Sequence, residues 1–359
     1  MNWGERPVIL LGAGARGADM SAVLALGVPI LTSWPAKDLI DNRHALYFGS
    51  PGVYGQRLAN KVLYEADTVI AIGNRLSVWN VGHAGLREDQ RLVQVELDQM
   101  ELRRGAEHIW QDAEAFVESL RGERVECVHW LIECAEFAEQ YRLVESAHAD
   151  SHFINSYRFT EALEPMLRAD EVIVTEMGAA LCSAHQVLSL RPPQRLMTSG
   201  GLGEMGCALP AAIGASFARG HGPVLCLSTD GGMMLNLQEL QTIAHYQLPV
   251  RIIVYNNSGY GMLKETQANA GMRYSGVNER TGVSFPNFRH VALAFGITAS
   301  EVATWEDFKR IMPSFMQSNG PALVDYVMDP GQPLIPRLSY RTEGGEKVYD
   351  RFDQMRPHG

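Results

Sequence analysis

The chain is poor in what several protein classes require. Only five cysteines occur in 359 residues. Cys127, Cys134, Cys182, Cys207 and Cys226 form no Cys-x-x-Cys pair and are odd in number, which fits reduced thiols better than a disulfide framework or a thiolate zinc centre. No apolar run is long enough to span a bilayer, and the first six residues lack the apolar stretch of a secretory signal, so the expectation is a cytoplasmic protein with no membrane partner. Cations are outnumbered, 31 Lys and Arg against 41 Asp and Glu, for a formal net charge of −10. With no basic patch interleaved with aromatics, this balance argues against a nucleic-acid partner. Internal repeats and low-complexity tracts are also missing. What is present reads as globular, 46% hydrophobic and 20% charged, in a length that suggests two domains.

The most informative stretch runs from Thr229-Asp230-Gly231-Gly232 to Asn256-Asn257-Ser258-Gly259. The runs that precede these segments, residues 223–228 and 250–255, have the length and β-branched content of buried parallel strands. Asp230 and Asn257 then fall at the carboxyl ends of strands, where open α/β sheets bind ligands. A magnesium ion takes about six oxygens, few of them from carboxylates. Asp230 offers the charge, the Asn257 amide a neutral oxygen and a turn carbonyl near Gly259 a third. Gly231 and Gly232 let backbone approach closely, and free N–H groups of Gly231, Gly232 and Met233, opening a helix near Leu235, are expected to attract phosphate oxygens. An ordinary strand–turn–helix with an N-capping Asp is the plainer alternative; the spaced Asn-Asn-Ser-Gly-Tyr-Gly favours the metal reading.

These residues resemble the thiamine diphosphate (ThDP) enzymes of the acetolactate synthase and pyruvate decarboxylase superfamily, whose signature is Gly-Asp-Gly, some two dozen residues, then Asn-Asn. Thr229 stands where the first glycine is usual. The run Ser199 to Ala215, Gly-Leu-Gly-Glu-Met-Gly at its heart, resembles a second family segment. The resemblance implies that the Gly203 carbonyl accepts from the cofactor's 4′-amino group and that Met205 wedges under the bent cofactor, a role suited to an adaptable apolar side chain. Glu204 departs from the usual Ser or Thr. Upstream, Glu171 to Gly178 reads as the first strand of this domain with its exit loop; the resemblance implies that this loop reaches the cofactor's diphosphate end and the substrate side, which makes Gly178, Cys182, Ser183 and His185 candidates there. Tyr260 and Met262 could line the pocket or simply pack, and His245 is read as a surface or core residue.

Residues 1–124 are expected to form a first, Rossmann-like unit, residues 125–150 a helical linker, and residues 151–359 a diphosphate-binding unit with a polar C-terminal tail. Both units should be three-layer α/β/α domains with mainly parallel sheets. Gly12-x-Gly14-x-x-Gly17 after a strand has the form of a dinucleotide fingerprint. No acidic residue follows the second strand where a ribose would need one, and the region resembles the superfamily's middle domain, which binds FAD or a nucleotide in some members. An architectural role is favoured over nucleotide binding.

The resemblance covers the family's middle and C-terminal domains, and a third, N-terminal domain supplies the glutamate that activates the cofactor. The expectation is therefore a split enzyme. This chain would be the large subunit of a ThDP- and Mg²⁺-dependent 2-oxo acid carboligase of acetolactate synthase type. Pyruvate is the expected donor, and a separate pyrimidine-binding subunit would complete an α2β2 heterotetramer. The rivals are a 2-oxo acid decarboxylase subunit, a non-catalytic ThDP- or nucleotide-binding partner, and an NAD-dependent oxidoreductase.

Overall fold

The computed structural model describes residues 1–343 and 346–357. The chain forms two compact units, one of residues 1–143, 189–192 and 335–359, the other of residues 144–188 and 193–334. The first contains a five-stranded sheet ordered β2-β1-β3-β4-β5, with β1 Pro7–Leu11, β2 Ile30–Thr32, β3 Thr68–Ile72, β4 Arg91–Val95 and β5 Glu107–Ile109. All its pairings are parallel. β1 and β3 are buried at every position, as expected of strands covered on both faces by helices.

The glycines of Gly12-x-Gly14-x-x-Gly17 serve packing. A Cβ on Gly12 would lie 2.0 Å from the Gly73 carbonyl oxygen, and one on Gly14 would lie 2.9 Å from the Gly73 Cα. The loop is thus pressed against the turn that leaves β3, and Gly17, at φ +115°, abuts the Glu114 carboxylate. Only a three-residue 3-10 turn, Ala13–Ala15, opens on it. This close packing is by itself a physical reason for glycine at positions 12 and 14.

Two boundaries differ from expectation. The helix Val128–Gln140 belongs to the first unit and is no free linker: Trp130 and Cys134 join that unit's core, and the Trp130 indole donates to the Pro7 carbonyl at 2.9 Å. The C-terminal tail also belongs to the first unit rather than the second. Leu338, Phe352 and Met355 are buried in the same core, the Leu338 N–H donates to the Val53 carbonyl at 2.8 Å, and Arg57 donates to the carbonyls of Met355 at 2.7 Å and Pro357 at 2.6 Å. Between Leu338 and Phe352, β12 (Tyr340–Glu343) and β13 (Glu346–Tyr349) pair antiparallel. Met355 is fully buried, so Met355→Ala should lower unfolding stability by about 2–5 kcal/mol. Urea denaturation checks this, and a change below about 0.5 kcal/mol would mean the tail contributes nothing to the core.

The second unit holds a parallel six-stranded sheet ordered β10-β11-β9-β8-β6-β7. Its strands are β6 Val172–Thr175, β7 Arg195–Met197, β8 Val224–Thr229, β9 Val250–Asn256, β10 Thr298–Val302 and β11 Ala322–Val327. From β6 the chain goes outward to β7, then returns to place β8 on the other side of β6. That reversal creates a switch point, and the crevice beyond the carboxyl ends of such strands is the standard ligand position. The helix Ala208–Ala218 packs there closely because its inward residues are small: Ala208 and Ala212 share one core with Val174 and Cys226.

Candidate active site

Three strand exits build the site. β8 ends at Thr229, whose hydroxyl accepts the Gly232 N–H at 3.2 Å and so caps the single turn Asp230–Met233. Threonine in place of the family's usual glycine therefore stabilises the turn while leaving Asp230 in position. The Asp230 carboxylate is 2% exposed. Its Oδ1 accepts the Gly231 N–H at 2.7 Å and its Oδ2 the Gly259 N–H at 3.0 Å. The second contact ties the β8 exit to the β9 exit. Burial raises the Asp230 pKa to about 7, against which the backbone N–H groups act.

At the β9 exit the two asparagines divide the work. The Asn256 amide donates to Asp325 Oδ1 at 2.9 Å and its Oδ1 accepts the Ser258 N–H at 3.1 Å, which shapes a turn with Ser258 at φ +55°. Asn256 is thus the turn-former, and Asn257 lines the cavity. Burial raises the Asp325 pKa to about 6, opposed by its bond from Asn256.

Glycine is required where the walls meet. A Cβ on Gly231 would lie 2.2 Å from Tyr260 Cε1 and 2.9 Å from Met205 Cε, so these two side chains close over the turn that carries Asp230. The resulting cavity, of about 420 Å³, is lined by Gly178, Met205, Asp230, Asn257, Tyr260 and Met262 among others, Gly259 included.

Other candidates are not among the residues that line the cavity. Cys182 is fully buried within the helix Ala179–Val187, which is buried at every position, and does not line the cavity. Ser183 bonds the Ser156 hydroxyl at 2.9 Å, and His185 is buried in the same helix. Gly203, at φ +65°, sits against Met177 Cε, and Glu204 is exposed and bonded by Ser199. His245 is on the surface. The Met233 side chain is a core residue, 1% exposed. The expected free N–H groups are also not all free, because those of Gly231 and Gly232 are taken by Asp230 and Thr229. No helix opens at Leu235 itself: the single turn Asp230–Met233 precedes it, and a 3-10 turn Leu237–Glu239 leading into the helix Leu240–His245 follows.

One residue was missed. Glu176 directly follows β6, is 1% exposed, and accepts from the Ser228 hydroxyl, from the Thr229 N–H at 3.1 Å and from the Ala208 N–H at 3.3 Å. Burial pushes its carboxyl up from the ordinary range, with these bonds opposing the shift. The signal available in the sequence was a carboxylate closing the apolar run Val172-Ile-Val-Thr175.

The donor set fits a hard divalent cation: one buried carboxylate, one amide and a turn, with room for phosphate oxygens and water. No group of three or more His, Cys, Asp or Glu that could hold a metal gathers among the described residues, so any centre here depends on oxygens from a ligand. Fold and site together define an α/β protein with a ligand-sized crevice at the switch point of a parallel sheet, where a buried carboxylate and an amide meet. The C-terminal TPP binding domain of thiamine pyrophosphate enzymes matches residues 176–326, and the central domain of the same enzymes matches residues 1–120. The chain belongs to the thiamine pyrophosphate enzymes.

Among curated relatives it is 29% identical over 357 residues to the probable acetolactate synthase large subunit of Methanocaldococcus jannaschii, covering 92% of this chain and 59% of that protein. It is 28% identical to the large subunits of acetolactate synthase isozymes 1 and 2 of Escherichia coli, covering 96% of this chain in both and 62% and 64% of those proteins. The chain thus spans less than two thirds of these relatives' lengths. No helix among the described residues is long and apolar enough to cross a membrane.

Proposed function

We propose that this chain is the large, diphosphate-binding subunit of a cytoplasmic ThDP- and Mg²⁺-dependent 2-oxo acid carboligase of acetolactate synthase type, with pyruvate as donor. The observation that carries this reading is the bond from the Gly259 N–H to Asp230 Oδ2, at 3.0 Å, which brings the two halves of the metal motif together at one cavity. There Asp230, Asn257 and the Gly259 carbonyl would hold Mg²⁺, and through it the cofactor's diphosphate. When bound, ThDP supplies the electron sink for decarboxylating a 2-oxo acid. This chain's own part is to bind and orient. Met205 and Tyr260 flank the turn, while Met177, Leu235 and Met262 give the cavity apolar walls that keep water from the reacting carbonyl.

The carboxylate that faces the cofactor's pyrimidine is proposed to come from outside these 359 residues. A separate polypeptide would bring it, in a two-fold assembly with two copies of each chain. Titration of the purified chain with ThDP should give binding only when Mg²⁺ is present. Co-expression with a small pyrimidine-binding protein should then yield CO₂ release from pyruvate and a C–C coupled product. Full turnover by the chain alone would refute the partner, and a plain aldehyde product would favour the decarboxylase instead.

A further inference from the structure

Resting on that reading of the site, we propose that Glu176 is a positioning residue whose buried carboxylate sets the Met205 loop and the Asp230 turn in register for cofactor binding. It does not line the cavity, so it acts through its neighbours and not on the ligand.

The carboxylate joins two segments distant in sequence. From the β8 exit it receives the Ser228 hydroxyl and the Thr229 N–H at 3.1 Å, one residue before Asp230. From the segment just beyond Met205 it receives the Ala208 N–H at 3.3 Å. Two of these donors are backbone N–H groups that cannot reverse their polarity. A group with two accepting oxygens satisfies both segments at once, whereas a glutamine amide would turn a donor toward one of them.

Contact with the Asp230 turn is direct. A Cβ on Gly232 would lie 1.8 Å from Glu176 Oε1 and 2.4 Å from its carboxyl carbon. Glycine at 232 is therefore imposed by Glu176, and not by a positive φ. The turn that carries Asp230 rests on this carboxylate, while Met205 approaches Gly231 from the other segment the same carboxylate holds. Loss of the clamp should let the two sides of the site drift apart, and a misplacement of about 1 Å is enough to matter at such sites.

Calorimetric titration of the full chain with ThDP at saturating Mg²⁺, paired with the melting temperature of the cofactor-free protein, tests this. Glu176→Gln should weaken ThDP binding by about tenfold or more, because the mismatched amide lets the two segments shift apart, while the cofactor-free protein stays folded with a melting temperature lowered by only a few degrees, the cost of one mismatched buried hydrogen bond. Gly232→Ala should weaken it further. The Glu176→Ala/Gly232→Ala pair should bind better than Gly232→Ala alone, because the new methyl fills the space vacated by the carboxylate; such non-additivity is the mark of direct contact.

Parent-like binding by Glu176→Gln would overturn the proposal, as would a double variant no better than Gly232→Ala. Residue-176 variants that unfold instead of losing affinity would make Glu176 a folding residue and overturn it equally. A parent chain that fails to bind ThDP with Mg²⁺ would remove the cofactor reading itself, a result distinct from any change confined to the variants.

Discussion

Asp230→Asn should weaken Mg²⁺-dependent ThDP binding by at least about 100-fold, beyond the 10- to 100-fold typical of losing a residue that merely supports a metal ligand, while making the cofactor-free chain more stable at pH 8. The two effects have one cause. An anionic carboxylate 2% exposed to water is unfavourable without a cation beside it. In the unfolded chain this proton leaves near pH 4, as for ordinary Asp, but in the fold only at about 7. Between those values the native state holds more protons than the unfolded one, so the stability of the cofactor-free chain falls as pH rises, and the deficit is complete above about pH 7. The neutral amide removes that deficit, on the order of a few kcal/mol. Glu176 and Asp325, also raised by burial, act in the same direction. Melting curves of parent and Asp230→Asn between pH 5 and 8 should converge at the acid end and separate at the alkaline end. Saturating ThDP and Mg²⁺ should raise the parent's curve alone, because only a bound ligand stabilises the native state by mass action. Unchanged ThDP affinity in Asp230→Asn would contradict the metal assignment.

The second large effect belongs to the opposite edge of the same sheet. Arg251, at the start of β9, is fully buried; its Nη2 meets Glu171 Oε1 at 2.5 Å and its Nη1 donates to the Met316 carbonyl at 2.5 Å. Glu171→Ala should destabilise the protein by about 3–5 kcal/mol, because it strands a guanidinium in the interior. The paired substitution Arg251→Met/Glu171→Leu should recover most of that loss, since apolar replacement of a whole buried pair is often neutral or better. Chemical denaturation of the three proteins decides it. A Glu171→Ala change below about 1 kcal/mol would mean that water reaches the guanidinium. ThDP affinity well below the melting range should stay near the parent's, since the pair lies at the amino ends of β6 and β9, away from the cavity.

The site was legible where chemistry and periodicity coincide. Two apolar runs each ending in a ligand-type residue located Asp230 and Asn257, and the structure places both at neighbouring strand exits around one cavity. Glu176 was not legible as a clamp, because its role depends on donors 32 and 53 positions away that only the sheet order brings to it. Cys182 looked reachable from its nearness to Gly178, but the helix Ala179–Val187 is buried at every position, and Cys182 is not among the residues that line the cavity. Gly12 and Gly14 matched a nucleotide pattern because tight backbone approach requires the same residue whether the neighbour is a phosphate or, as here, the turn at Gly73. The tail looked like a polar surface extension because Leu338, Phe352 and Met355 are scattered among charges without any period; their burial follows from shape, not pattern.

That tail sets an order of events during synthesis. Every strand of the six-membered sheet emerges from the ribosome before Leu338, Phe352 and Met355, whereas the five-membered sheet, made first, waits for those three side chains to fill its interior. The unit begun earliest is therefore finished last, and a released chain truncated after residue 334 would carry every residue of the second unit but a first unit with an unfilled gap in its core.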